Sequence, residues 1–434
     1  MDTGNDIPIA KTIEGVPVVL TPHDRARHVY LVGKTGEGKS TMLFNLAMND
    51  IMAGEGVAVI DPHGDLALDL LDAMPSSRIN DVCYLDVTDM EQPVGFNPAA
   101  GVKPERCALA AAGIVSAFKH RWSDSWGPRL EHYLYNGVAA LLSKPTAVLI
   151  DLARVYTNDV YRENLLRRVT DPETLRFWRE EYPSYTKAQR AEAIAPILNK
   201  IGQFTASPNL RLILGQSSPH FDLRVHMNSR RILIANLAKG VIGEQASNLL
   251  GSLLVSHLQL LAMERTLVPS SERVGFRVHV DEFQNFSSES FAILLSESRK
   301  FGIYLCCANQ FTAQLQPAVR QAIIGNVGTL IAFRVGSEDA ELLAPEFRPM
   351  DDGALTDQQP FSAWMRRGID RSRIYGAPKQ FPSLGNMETI RATSRFRFGR
   401  ARYKIEQSRG RAAYAPVPTT RPDALTTTSR FAVS

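Results

Sequence analysis

Gly33, Lys34, Thr35, Gly36, Glu37, Gly38, Lys39 and Ser40 place three glycines, a basic side chain and a hydroxyl at the spacing of a phosphate-binding loop. In such a loop the glycines let successive backbone N–H groups curl round a polyphosphate. Lys39 then reaches the β- and γ-phosphates, and the Ser40 hydroxyl coordinates Mg²⁺. Lys34, Thr35, Gly36, Glu37, Gly38, Lys39, Ser40 and Thr41 are therefore the candidate nucleotide-binding residues, with ATP and Mg²⁺ as ligands. That chemistry needs a strand before the loop and a helix after it. His28 to Val32 is a short apolar run, and Met42, Leu43, Leu46, Ala47 and Ile51 recur at helical spacing. A glycine-rich surface turn would have neither neighbour.

A second acidic element belongs opposite the loop. Val278-His279-Val280-Asp281-Glu282 reads as a buried strand ending in two carboxylates: Asp281 for the Mg²⁺ shell, Glu282 to polarise an attacking water. Two acids at a strand end are weak evidence alone, and the loop at 33–40 gives them a purpose. An adjacent glutamate favours hydrolysis over switching. Gln310, just after the run Ile303 to Ala308, is placed where an amide could touch the γ-phosphate or its water, which makes it a sensor candidate. Asp61-Pro62-His63-Gly64-Asp65 ends a further strand, and His63 is read as part of a shaped turn supporting the site rather than as a metal ligand or general base.

The elements that must position these residues follow from the hydrophobic pattern. Nearly continuous apolar runs at 57–61, 82–86, 231–236, 276–281, 303–308 and 330–333 alternate with helical segments, which predicts an α/β fold with a mainly parallel sheet covered on both faces. Ligands in such sheets bind outside the carboxyl ends of the strands, where Asp61, Asp86, Asp281 and Asn309 fall. Strand-like runs become scarce between 102 and 225, so an inserted all-α lobe is expected there. The division is then an N-terminal segment over 1–24, a core over 25–101 and 226–350, the lobe over 102–225, a basic segment over 351–412 and a disordered tail over 413–434.

Composition narrows the classes. The 434 residues carry a net charge of +4, too small for overall charge to argue polyanion binding, so local patches must carry that case. One patch is the stretch 391–411, where eight Arg and Lys face the single acid Glu406 and Phe396, Phe398 and Tyr403 interleave; it fits a nucleic-acid contact or a solvated face equally. The four cysteines show no CxxC spacing, which points to a reducing compartment without zinc. The start of the chain has neither the charge nor the apolar run of a signal peptide, and polar residues interrupt the apolar stretch Leu249 to Met263 before the ~18 residues a bilayer span requires.

Five ordered motifs now stand together: the loop at 33–40; Ala58 to Leu66; Val94-Gly95-Phe96-Asn97-Pro98; Val280 to Phe286; and Ser296 to Gly302. Over most of residues 25–345 the chain resembles the ATPase domain of type IV secretion and conjugation coupling proteins, which belong with the FtsK and HerA hexameric DNA pumps. The resemblance implies a RecA-like P-loop NTPase core, a homo-oligomeric ring, and DNA as the track, single- or double-stranded. It supports Gln310 as sensor and assigns to Arg299, through Glu297-Ser298-Arg299-Lys300, the arginine that reaches a neighbour's site, a group that neutralises charge on the transferring phosphoryl. Arg334 and Arg320 are weaker candidates that could instead pair with carboxylates. Membrane-bound coupling proteins carry N-terminal spanning helices; with 32 residues ahead of Gly33, the expectation is a cytoplasmic motor, docked at the inner membrane through a protein partner or serving another DNA-moving process. A nucleotide-gated adaptor for protein cargo and a protein-export or virion-packaging ATPase remain as alternatives.

Overall fold

The computed structural model describes residues 6–350 and 353–414. Its frame is one sheet of eleven strands: β1 (Ile7–Lys11), β2 (Pro17–Leu20), β3 (Val29–Val32), β4 (Gly56–Asp61), β5 (Val82–Asp86), β6 (Ile232–Asn236), β7 (Phe276–Val280), β8 (Ile303–Asn309), β9 (Thr329–Ala332), β10 (Ser362–Arg367) and β11 (Asp370–Gly376). The order is β2-β1-β11-β10-β9-β3-β8-β7-β4-β6-β5. From β9 to β5 every pairing is parallel. The predicted α/β architecture with a mainly parallel sheet is the observed one.

Side chains alternate across the sheet and sort into two cores. Tyr30, Val32, Ala58 and Ile60 face one cluster, while Val29, Leu31, Val57 and Val59 face the other. The helix Lys39–Met52 buries Leu43, Leu46, Ala47 and Ile51 in the second cluster. On the first face pack Cys107–Arg121 and Glu244–Glu264. The latter is long and apolar enough by length and composition to cross a bilayer, yet 83% of its apolar window is buried inside the protein, as in a core helix.

Between β5 and β6 the described chain forms helices and no strand, so the expected all-α insertion is present. Its aromatic residues Phe118, Tyr133, Phe177, Trp178 and Tyr182 belong to the same continuous cluster as one face of the sheet. Asn158, Asp171, Thr186 and Ser207 each cap a helix there by accepting a backbone N–H.

Residues set apart by sequence as the N-terminal and basic segments add four antiparallel strands to the sheet. β1 pairs with β2 and β11, and β10 pairs with β9 and β11. Pro8 and Pro17 in β1 and β2, and the arginines of β10 and β11, break the apolar pattern that marks the parallel strands. Further on, the helices Met387–Phe398 and Arg402–Tyr414 lie against the body of the protein. Arg395 pairs with Asp89 at 2.6 Å and Arg409 with Asp151 at 2.6 Å, so part of the basic run is spent on intramolecular ion pairs. Phe398 is buried, whereas Phe396 and Tyr403 are exposed. The tail expected to be disordered lies outside the described residues from 415 onward.

Candidate functional site

Strand order builds the site. β8 lies between β3 and β7, and the register pairs Val32 with Asn309 and Val280 with Cys307. Gly33, Gln310 and Asp281 therefore leave the sheet at one edge, at the carboxyl ends of parallel strands. The loop turns there on glycine: Gly38, at φ +108°, is the N-cap of Lys39–Met52, and a Cβ at Gly33 would sit 2.6 Å from Phe333 Cβ. The first backbone N–H groups of that helix have no partner within it, and its N-cap makes no side-chain hydrogen bond.

Lys39 is buried, and its ammonium donates to the Lys34 carbonyl at 2.8 Å. Burial lowers its pKa, against the opposing pull of Asp281, Glu282 and Glu37. The Ser40 hydroxyl stands 3.5 Å from Asp281 Oδ2. Asp281 is pushed up to about 6, first by burial and then by the neighbouring charge of Asp61. A buried carboxylate so short of compensation, beside a serine hydroxyl, suits a divalent cation. Among the described residues no group of three or more His, Cys, Asp or Glu could hold a metal by itself. Mg²⁺ takes one or two carboxylates and completes its shell with substrate phosphates and water, a demand that Asp281 and the Ser40 hydroxyl fit.

Glu282 adopts φ +42°, a left-handed conformation uncommon for glutamate, with its N–H donating to Asp281 Oδ1 at 2.9 Å. Its carboxylate is gripped from three sides. Gln310 Nε2 donates to Oε1 at 2.6 Å, Lys239 Nζ to Oε2 at 3.2 Å, and His63 Nε2 lies 3.0 Å from Oε2. Burial would raise its pKa, but His63 and Lys239 outweigh that and hold it below the usual carboxylate range. Asp61 shapes the turn that presents His63, accepting from the N–H groups of His63 at 2.8 Å and Ala67 at 2.9 Å. His63 thus both belongs to a supporting turn and touches the glutamate itself. Lys239, three residues beyond the end of β6, escaped sequence reasoning. Its place just past the carboxyl end of a parallel strand was the available signal.

The remaining candidates sit elsewhere. Thr35 and Gly36 are exposed on the loop, and Thr41 is half-buried in the first helical turn. Arg334, after β9, pairs with the buried Glu37 carboxylate and accepts the Lys34 N–H on its carbonyl at 2.9 Å, so it braces the loop. Arg299 is exposed just before β8, at the opposite end of the strands from Gln310, close enough to His28 to depress the histidine's pKa after burial has done so. It cannot reach the loop of its own chain. Arg320 is half-buried in the helix Pro317–Asn326.

No family model matches the chain. The type 4 coupling protein DotL of Legionella pneumophila is 22% identical over 362 residues, which cover 69% of this chain and 45% of DotL; the chain thus spans under half the length of that curated relative. Among solved structures, the plasmid coupling protein TrwB with a non-hydrolysable ATP analogue superposes with a TM-score of 0.60 at 15% identity, covering 86% of this chain and 90% of that one. TrwB with ADP and Mg²⁺ gives 0.59 at 16% identity, covering 87% and 91%. VirB4 of Thermoanaerobacter pseudethanolicus gives 0.58 at 14% identity, covering 87% and 98%. The fold is that of a RecA-like P-loop NTPase, in the form found in type IV coupling-protein ATPase domains. The likeness carried by the five sequence motifs therefore extends to the three-dimensional structure.

Proposed function

We propose that this chain is a Mg²⁺-dependent ATPase that moves DNA through a homo-oligomeric ring, taken as a hexamer, in the manner of a coupling-protein motor. One observation carries the reading: Glu282, kept ionised by His63 and Lys239 and held by Gln310, stands beside Asp281 at the sheet edge that bears Lys39 and Ser40. The backbone N–H groups of the loop bind the triphosphate, and Lys39 exchanges the Lys34 carbonyl for phosphate oxygen. Ser40 and Asp281 would hold Mg²⁺, which would supply positive charge against the triphosphate. Glu282 takes the proton of the attacking water. Gln310, already bonded to Glu282, passes the state of the γ-phosphate into β8. Arg299, at the far end of the same strand, completes the site of a neighbouring subunit.

The likeness to the coupling proteins DotL and TrwB supports DNA and secretion-machine proteins as partners, and the proposed motor works in the cytoplasm, docked at the inner membrane through one of them. The test is ATP turnover with and without single- and double-stranded DNA over a range of salt, with the mass of the assembly measured on a non-hydrolysable analogue. The motor reading expects DNA stimulation that weakens as salt rises and a ring-sized mass. A rate that ignores both nucleic acids but rises with a protein partner would replace it with the adaptor.

A further inference from the structure

The turn Gln359-Pro360-Phe361-Ser362 breaks the rule for its own backbone. The Ser362 N–H donates to the Gln359 carbonyl at 3.1 Å, proline occupies the second position, and the third, Phe361, has φ +64°. Turns of this pattern require a positive φ at the third position and take glycine or asparagine there. Phenylalanine is strained at such a position, and packing does not explain it, because the side chain is 56% exposed. The backbone that imposes the strain is firmly held. The Gly376 N–H donates to the Phe361 carbonyl at 2.8 Å, and the buried Gln358 donates to the Ala332 carbonyl at 3.1 Å.

The ring lies on the phosphate loop. A Cβ at Gly38 would be 3.1 Å from Phe361 Cδ1 and 3.4 Å from Phe333 Cε1, so the glycine that caps the loop helix is flanked by two aromatic rings, of which Phe361 is open to solvent. The sheet order then sets the direction of a bound nucleotide. Glu282, Gln310, His63 and Lys239 mark the γ-phosphate end, on the side of β3 where β8, β7, β4 and β6 lie. The base must leave on the other side, towards β9 and β10, and Phe361 stands at the start of β10.

We propose that Phe361 is the platform on which the base of the bound nucleoside triphosphate stacks. This rests on the nucleotide site described above and adds its base end. A phenyl ring offers a face and no hydrogen-bonding group, so it binds the flat surface of the base without reading its edges. The strained turn presents that face to solvent beside the last glycine of the loop.

The test compares binding of a non-hydrolysable ATP analogue with binding of inorganic tripolyphosphate, both with Mg²⁺, to the full chain. Phe361→Gly removes the ring and suits the positive φ, so the fold is retained, and Phe361→Trp restores an aromatic face. Stacking predicts that Phe361→Gly weakens the analogue by roughly 5- to 100-fold, leaves tripolyphosphate unchanged, and raises KM for ATP at constant kcat. Phe361→Trp recovers affinity for the analogue. The proposal is overturned if the glycine variant binds the analogue as wild type does, or if both probes weaken together, which would make the ring a mere prop for the loop. A wild-type chain that binds neither probe would remove the nucleotide site and the platform with it.

Discussion

Asp281 shows how far a single environment can move a group. Its carboxyl has a folded-state pKa of about 6, against about 3.9 for an aspartate in an unfolded chain. The folded protein therefore binds this proton more tightly, and the stability that the proton contributes is complete below pH ~4 and lost as pH rises through about 6. An asparagine in its place would not titrate. Comparing thermal or urea unfolding of the nucleotide-free wild type with Asp281→Asn should show wild type losing ground by about 2 kcal/mol between pH 4 and 7. Adding Mg²⁺ and a nucleotide analogue at pH 7 should stabilise wild type more than the variant. Parallel pH curves would mean that the carboxylate is better solvated than its burial indicates.

The elements set these residues by strand order, and a second buried network anchors the other end of the same strands. Asp50, on the loop helix, pairs with Arg25 and lies 3.0 Å from His279 on β7 and 3.8 Å from Arg277. Burial alone would raise its pKa, but His279, Arg277 and Arg25 together bring it below the usual range. Removing one partner of such a set leaves uncompensated charge, so Asp50→Ala should cost about 3 to 5 kcal/mol in chemical unfolding, and a loss under 1 kcal/mol would show that the network relaxes without it. The parallel core was legible in the sequence because its strands are buried on both faces and read as continuous apolar runs. Lys39, Ser40, Asp281 and Glu282 were legible because their neighbours in sequence form the strand and helix ends that hold them. The grip of His63 and Lys239 on Glu282 was not, since it joins the ends of β4, β6 and β7, and only their order in the sheet brings those together. The antiparallel extension was hidden by prolines and arginines in half-exposed strands. Phe361 was hidden for a different reason: its meaning lies in a φ angle.

At the scale of the whole molecule, Gln310, beside Glu282, and Arg299 occupy opposite ends of β8. One chain therefore carries the loop and acids at one end and an exposed arginine at the other, which suits a ring in which each subunit completes its neighbour. Arg299→Ala and Glu282→Gln should each abolish most turnover, the first by roughly 1,000-fold or more. Mixed assemblies of the two should regain part of it, because some interfaces then pair an intact glutamate with an intact arginine. Mixtures no more active than either variant would place Arg299 outside the neighbour's site.

The proposed motor depends on Glu282 acting as the base for hydrolysis, in a site where Lys39 and Ser40 would hold the triphosphate. Its most direct test is equilibrium ATP binding and single-turnover hydrolysis by Glu282→Gln beside wild type. A base at this position predicts a Kd within a few-fold of wild type and hydrolysis slower by about 100-fold or more. Hydrolysis at the wild-type rate with ATP bound equally well would contradict it.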